Sequence, residues 1–240
     1  MTDTTPTHDS PAAEHTARAS LYAACAATFQ FPDEDVVADL TDEGAVAGLR
    51  AAADRLGFTE EVTTLLEAVK SADREDLEGE YQRLFGIPGD DGTYPVVPYE
   101  ATYTAGEEIG KQQRRIATVV GLMETFGLEP SDSFSERQDH VAAELELLQV
   151  VAAQRAVAVE EEADDVRERL RAAETTLLAA HLGDFVPSLA ERIRAETDSD
   201  VYRAAADLAE ALVTWDLARH PDEAVTPTDL DGPAGVSEDA

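Results

Sequence analysis

The chain has 240 residues, of which 51 are acidic and 18 basic, a formal net charge of −33. Phosphate binding depends on Lys/Arg neutralisation and no basic stripe is present, so nucleic acid is excluded as a partner, and stable association with an anionic membrane with it. The single cysteine, Cys25, excludes an internal disulfide and any CxxC metal or redox site, and its place in an Ala/Leu-rich stripe predicts a small core residue.

Acids are spread over every segment, and Lys70 and Lys111 are the only lysines. Such a chain repels itself in ordinary salt, whereas at molar ionic strength the Debye length falls to about 3 Å and the repulsion fades. The composition therefore predicts a cytoplasm held at very high salt. No apolar run approaches the roughly 18 residues that span a bilayer. The opening MTDTTPTHDSPAAEH lacks the basic region and apolar core of a signal peptide, which again points to the cytoplasm.

Residues 1–13, rich in Thr, Pro and Asp, are expected to be a disordered tail. A helix follows, with Leu21, Ala24, Cys25 and Thr28 on one face, ending near Phe29. Asp33 to Leu56 reads as one or two short helices broken at Gly44 and Gly57, with Val36, Val37, Leu40, Val46 and Leu49 inward. Another begins at Thr59 and carries Val62, Leu65, Leu66 and Val69. Asp73 caps the next, in which Leu77, Tyr81, Leu84 and Phe85 recur at helical spacing.

The pattern then breaks. GIPGDDGTYPVVPYEATY, from Gly86 to Tyr103, holds three prolines, three glycines and three tyrosines. A loop this long inside a compact domain is usually functional, and its aromatic residues argue against disorder. Helices resume at about 104–126, 135–158, 160–183 and 199–218, and Pro187 either opens a helix or kinks one. The segment 220–240 reads as a mobile acidic tail. No alternating strand, internal repeat or glycine-rich phosphate loop occurs. The expected fold is all-α: one compact domain, residues 14–219, of eight to ten helices.

The central element is SERQDHVAAELELLQVVAAQ, Ser135 to Gln154. Ser135 and Gln138 have capping-box spacing, and Val141, Leu145, Leu148 and Ala152 define a buried stripe that Leu147, Val150 and Val151 widen. Asp139 and His140 fall in the expected first turn, with Glu144 one turn below His140. This is either a satisfied structural pair or the working part of a site. His140 and Glu144 have the spacing of two metal ligands, which admits a helical metal-dependent hydrolase. A third ligand is wanting: His8, His15 and His220 lie in or beside the tails, leaving only His181. No metal, cofactor or catalytic residue is therefore expected, and nothing resembles a nucleophile elbow or a Cys–His pair. A helical scaffold without a peptide groove also stays open.

The order EYQRLFGIPG (80–89), VPYEATY (97–103) and ERQDHVAAELELL (136–148) resembles the TorD/DmsD/NarJ-like family of cytoplasmic, all-helical chaperones for molybdenum-containing redox enzymes. HLGDFVPSLAERI and VYRAAADLAEALV resemble later segments of that family, so the likeness spans roughly residues 17 to 217. Ala101 stands where the family often has Ser, Phe185 where Trp is common, and Asp90-Asp91-Gly92 lengthens and acidifies the loop. The resemblance implies a non-enzymatic chaperone, monomer or domain-swapped dimer. Its partner is the catalytic subunit of an apo-molybdoenzyme of the DMSO, TMAO or nitrate reductase type, bound through its twin-arginine signal peptide. Such a protein delays export and assists cofactor insertion. The matching positions are Tyr81, Leu84 and Phe85, then Pro98, Tyr99, Glu100 and Tyr103, then Asp139 and His140, with Glu144 below them. An acidic rim would pair bidentately with the arginines while aromatic and aliphatic groups take the apolar stretch that follows.

Overall fold

A computed structural model describes residues 10–86, 94–106, 108–128 and 136–220. Helix α1 (Pro11–Thr28) starts earlier than the tail expectation allows: Ser10 accepts the Ala13 amide as N-cap and Pro11 occupies the first helical position, where a missing N–H costs nothing. Next come α2 (Glu34–Thr41) and α3 (Glu43–Leu56). The break between them is at Asp42, whose carboxylate accepts from Ala45 N, rather than at Gly44, which lies inside α3. Gly57 closes α3 at φ 87°, a left-handed cap that only glycine adopts without strain. Of the side chains expected inward from this stretch, Leu49 is buried and Val36, Val37, Leu40 and Val46 are half-buried.

Helix α4 (Thr59–Ser71) buries Val62, Leu65, Leu66 and Val69. Asp73 caps α5 (Arg74–Tyr81), which runs on into a π-helical turn at Gln82–Gly86. After the short α6 (Glu100–Thr104) and α7 (Ile109–Thr125) comes α8 (Val141–Glu160). Helix α9 (Asp164–Thr176) continues through a second π-helical turn, Leu177–Leu182, into α10 (Gly183–Glu196). Pro187 therefore sits inside a helix, just after the π turn has shifted the hydrogen-bond ladder. Helix α11 (Asp200–Leu217) ends the described chain. Counting rods that run without a break, there are ten helices and no strand among the described residues.

α8 is the axis of the molecule. Val141, Leu145, Leu147, Leu148 and Val151 are buried on successive faces, and in its first half only Glu146 is exposed. α1 lies along it, presenting Ala17, Leu21, Ala24 and Cys25, and α9 flanks it; small side chains on α1 let two helices approach closely. α11 packs against α4 and α10, burying Tyr202, Ala205, Leu208, Leu212 and Val213. Each fully buried Leu or Val contributes about 1.5–3 kcal/mol. None of the helices is long and apolar enough to cross a membrane, among the described residues.

One polar cluster crosses this core. Arg18 of α1 donates through Nε to Asp216 of α11 at 3.0 Å and pairs with Glu174 of α9. Tyr22 OH donates to the same Asp216 oxygen at 2.8 Å, and Arg155 pairs with Glu174 from the other side. Burial alone would depress the Arg18 guanidinium, but the Asp216 and Glu174 charges outweigh it and raise its pKa.

Candidate functional site

The two segments singled out in the sequence meet in space. Tyr99 and His140 form an isolated antiparallel bridge: Glu100 N donates to Asp139 O at 2.9 Å and Val141 N to Pro98 O at 2.9 Å. This pairing corrects the expected start of the central helix. Ser135, the proposed cap, lies outside the described residues. Asp139 and His140 precede the helix rather than forming its first turn, because the bridge needs His140 extended (φ −72°, ψ 139°). His140 is itself the N-cap, its Nδ1 accepting from Ala142 N at 3.1 Å. Burial lowers its pKa to about 4, so the ring stays neutral and keeps the lone pair that the cap requires.

Asp139 is buried and fully engaged. Arg137 grips it as a fork, Nε to Oδ1 at 2.9 Å and Nη2 to Oδ2 at 2.6 Å. The same carboxylate accepts Ala101 N at 3.1 Å and so caps α6 from a different segment. The Arg137 guanidinium also lies 4.6 Å over the Tyr99 ring, whose hydroxyl donates to Glu136. Tyr99 in turn meets the His140 ring edge-on at 5.6 Å. Arg137 and Tyr99 remain partly exposed, whereas Pro98 is buried beneath them.

Glu100 and Glu144 lie deeper, both with no exposed surface. Glu100 Oε1 accepts from Thr104 Oγ1 at 2.5 Å and Arg115 Nε at 2.6 Å. Burial pushes Glu100 up, yet His181, Arg115 and Thr104 together hold it below the usual carboxylate range. Glu144 is the opposite case: burial and the charges of Glu100 and Asp139 raise its pKa well above the usual value, against the pull of Arg115. A cavity of about 300 Å³ opens beside this pair, lined by Tyr103, Thr104, Arg115, Ala180, Asp184 and Ser188.

The remaining sequence candidates support the site from below. Tyr81 and Phe85 stack against Tyr202 and each other, with ring centroids 5.1–6.5 Å apart, and Leu84 is wholly buried. Leu84 O accepts from Val96 N at 3.1 Å, anchoring the loop to the π turn. Tyr103 is half-buried and packs on Phe185, their centroids 5.2 Å apart, so the phenyl ring fills a core position under the loop. The Asp90-Asp91-Gly92 insertion lies outside the described residues, as does the tail 221–240. The pairing of His140 with Glu144 as metal ligands is not formed. His140 Nδ1 is spent on the helix cap, and the groups that converge with Glu144 are Glu100 and His181. Glu100 and His181 were each singled out in the sequence, but nothing in its spacing joins them to Glu144, because they come from other segments. The supporting arginines, Arg115 and Arg137, were missed for the same reason.

The nitrate reductase delta subunit family matches residues 51–191, more than half of the chain and the whole of this site. The chaperone protein TorD of Photobacterium profundum is 28% identical over 169 residues, covering 68% of this chain and 76% of that protein. The match includes the bridged loop and the helix it opens, so the chain belongs to the nitrate reductase delta subunit family, the TorD/DmsD/NarJ-like group that its motifs resemble.

Proposed function

We propose that this protein is a cytoplasmic maturation chaperone that holds the twin-arginine N-terminal region of an apo-molybdoenzyme catalytic subunit while cofactor is inserted, and that it works in a salt-rich cell. Family membership supports the chaperone class. The observation that carries the peptide reading is the forked Arg137–Asp139 pair beneath the Tyr99 ring. Here the chain already binds one guanidinium as a signal peptide would present it: a bidentate carboxylate below, an aromatic face beside it. An incoming arginine exchanges with Arg137 like for like, so little desolvation energy is lost in the swap. Tyr99 and Tyr103, both partly exposed, then meet the apolar stretch that follows the arginines. Asp139, His140 and Pro98 act from beneath as the frame of this surface, and Tyr81, Leu84 and Phe85 as its floor.

Anisotropy titration of a labelled twin-arginine peptide in molar KCl tests this. Wild type binds, Asp139→Asn weakens binding at least tenfold, and Arg137→Gln tightens it by removing the internal competitor. A twin-lysine peptide binds more weakly, since an ammonium cannot make the fork. Equal binding by wild type and Asp139→Asn, or of both peptides, would falsify the reading.

A further inference from the structure

We propose that Glu100, Glu144 and His181 form a buried site for one divalent transition-metal ion, distinct from the peptide surface above it. One ligand atom from each residue lies within 4.8 Å of the others, and all three residues are buried. Both oxygens of Glu144, Oε2 of Glu100 and Nδ1 of His181 are enclosed without a hydrogen-bond partner. A buried polar atom left unpaired is costly, so three residues that bring such atoms within 4.8 Å of one another are a standing demand for a ligand. The nearest cation does not meet it: Arg115 is committed to Glu100 Oε1 and to the carbonyl of Ala180. A water molecule offers two hydrogens to these lone pairs and no charge, whereas a divalent ion accepts from all of them and balances two carboxylates.

The donor set narrows the ion. Two carboxylates and one imidazole suit zinc or manganese, while calcium and magnesium favour oxygen alone. A tetrahedral site with bonds of about 2.0 Å needs ligand atoms about 3.3 Å apart. His181 Nδ1 and Glu100 Oε2 are already 3.8 Å apart, and no hydrogen bond holds either Glu144 oxygen or His181 Nδ1 back from closing the rest. The cavity of about 300 Å³ is separated from the cluster by Thr104 and Arg115, which line it and bind the far oxygen of Glu100. The π-helical turn matters here, because it carries His181. A bound ion would thus tie α6, α8 and the π turn together under the loop that bears Tyr99 and Tyr103. This is a structural ion, and no hydrolytic step is assigned to it.

The full-length chain, purified in molar KCl to screen its surface acids, is stripped with chelator and titrated with Zn²⁺ and with Mn²⁺. We expect one tight equivalent of at least one ion in wild type and in His140→Gln, accompanied by a higher melting temperature. Glu144→Gln keeps the size and shape of the side chain and should fold. It and His181→Gln lose the tight equivalent or bind at least 100-fold more weakly. Independently of any variant, X-ray absorption of the loaded wild type should show one imidazole nitrogen in a shell otherwise of oxygen. The proposal is overturned by the lack of saturable binding of either ion, by unchanged affinity in either ligand variant, or by an oxygen-only shell. Failure here leaves peptide binding untouched, because Asp139, Arg137 and Tyr99 lie outside the ligand set.

Discussion

His15 and His140 show how differently one residue type is used within a single fold. His140 is kept neutral by burial so that its ring can accept the Ala142 amide. His15 is held down to about 3, by burial first and then by Arg155 and Arg18, because it lies beside the guanidinium that ties α1 to α11. Its folded pKa lies below the unfolded value of 6.5, so below pH 6.5 the unfolded chain takes up a proton that the folded chain refuses. The contribution is whole above pH 6.5 and shrinks as pH falls towards 3. His15→Gln should therefore flatten the loss of stability between pH 6.5 and 5. The effect is about 1 kcal/mol after discounting for partial exposure and screening by salt. Urea melts of both proteins at the two pH values check it; parallel losses in both would remove His15 as the cause.

At the scale of elements, the glycine pair Gly79 and Gly183 separates propensity from packing. Both are helical. A Cβ on Gly79 meets nothing within 4 Å, so Gly79→Ala should stabilise the chain by about 0.5–1 kcal/mol. A Cβ on Gly183 would come 2.7 Å from the Leu178 carbonyl and 2.9 Å from Leu217 Cδ2. Backbone cannot yield as a side chain can, and Gly183→Ala should cost about 1–3 kcal/mol. Thermal melts that moved in the same direction for both would contradict the distinction. The buried cluster makes a stronger claim: Asp216→Ala strips Arg18 of its forked partner and Tyr22 of its acceptor, and should cost about 3–5 kcal/mol. Chemical denaturation measures that loss directly.

Much of this could be seen in the sequence because it is periodic. The stripes of α1, α4 and α8, the cap at Asp73 and the break at Gly57 are local signals, and they sit where spacing puts them. The start of α8 did not, because a capping-box spacing at Ser135–Gln138 competes with a tertiary strand pairing. The bridge to Tyr99 wins, holding residues 139–140 extended. The Arg18–Glu174–Asp216 cluster and the Glu100–Glu144–His181 group were invisible for a related reason. Each joins residues from three distant segments, and in a chain with 51 acids no single carboxylate stands out. Motif resemblance located the loop and the Asp-His pair, but only the folded chain reveals that Asp139 already holds an arginine.

The whole molecule must fold against its own charge. A formal −33 over 240 residues leaves most acids without a basic partner, since 18 bases cannot pair with 51 acids, and several of those bases serve buried acids. Surface pairs such as Lys111–Glu108 and Arg167–Asp164 are exposed and each contributes well under about 1 kcal/mol. The unfolded chain separates these charges and the folded one concentrates them, so dilute buffer penalises the native state. Raising KCl from about 0.1 M to about 1 M shortens the Debye length from about 10 Å to about 3 Å, below the spacing of most surface carboxylates. The melting temperature should therefore climb steeply over that range and level off beyond it. Sorbitol at matched osmolality, which screens nothing, should reproduce only a small part of the rise. The buried ion pairs are shielded from solvent and should not weaken in step. A melting temperature that is the same in dilute buffer and in molar KCl would show that the acidic surface carries no adaptation to salt.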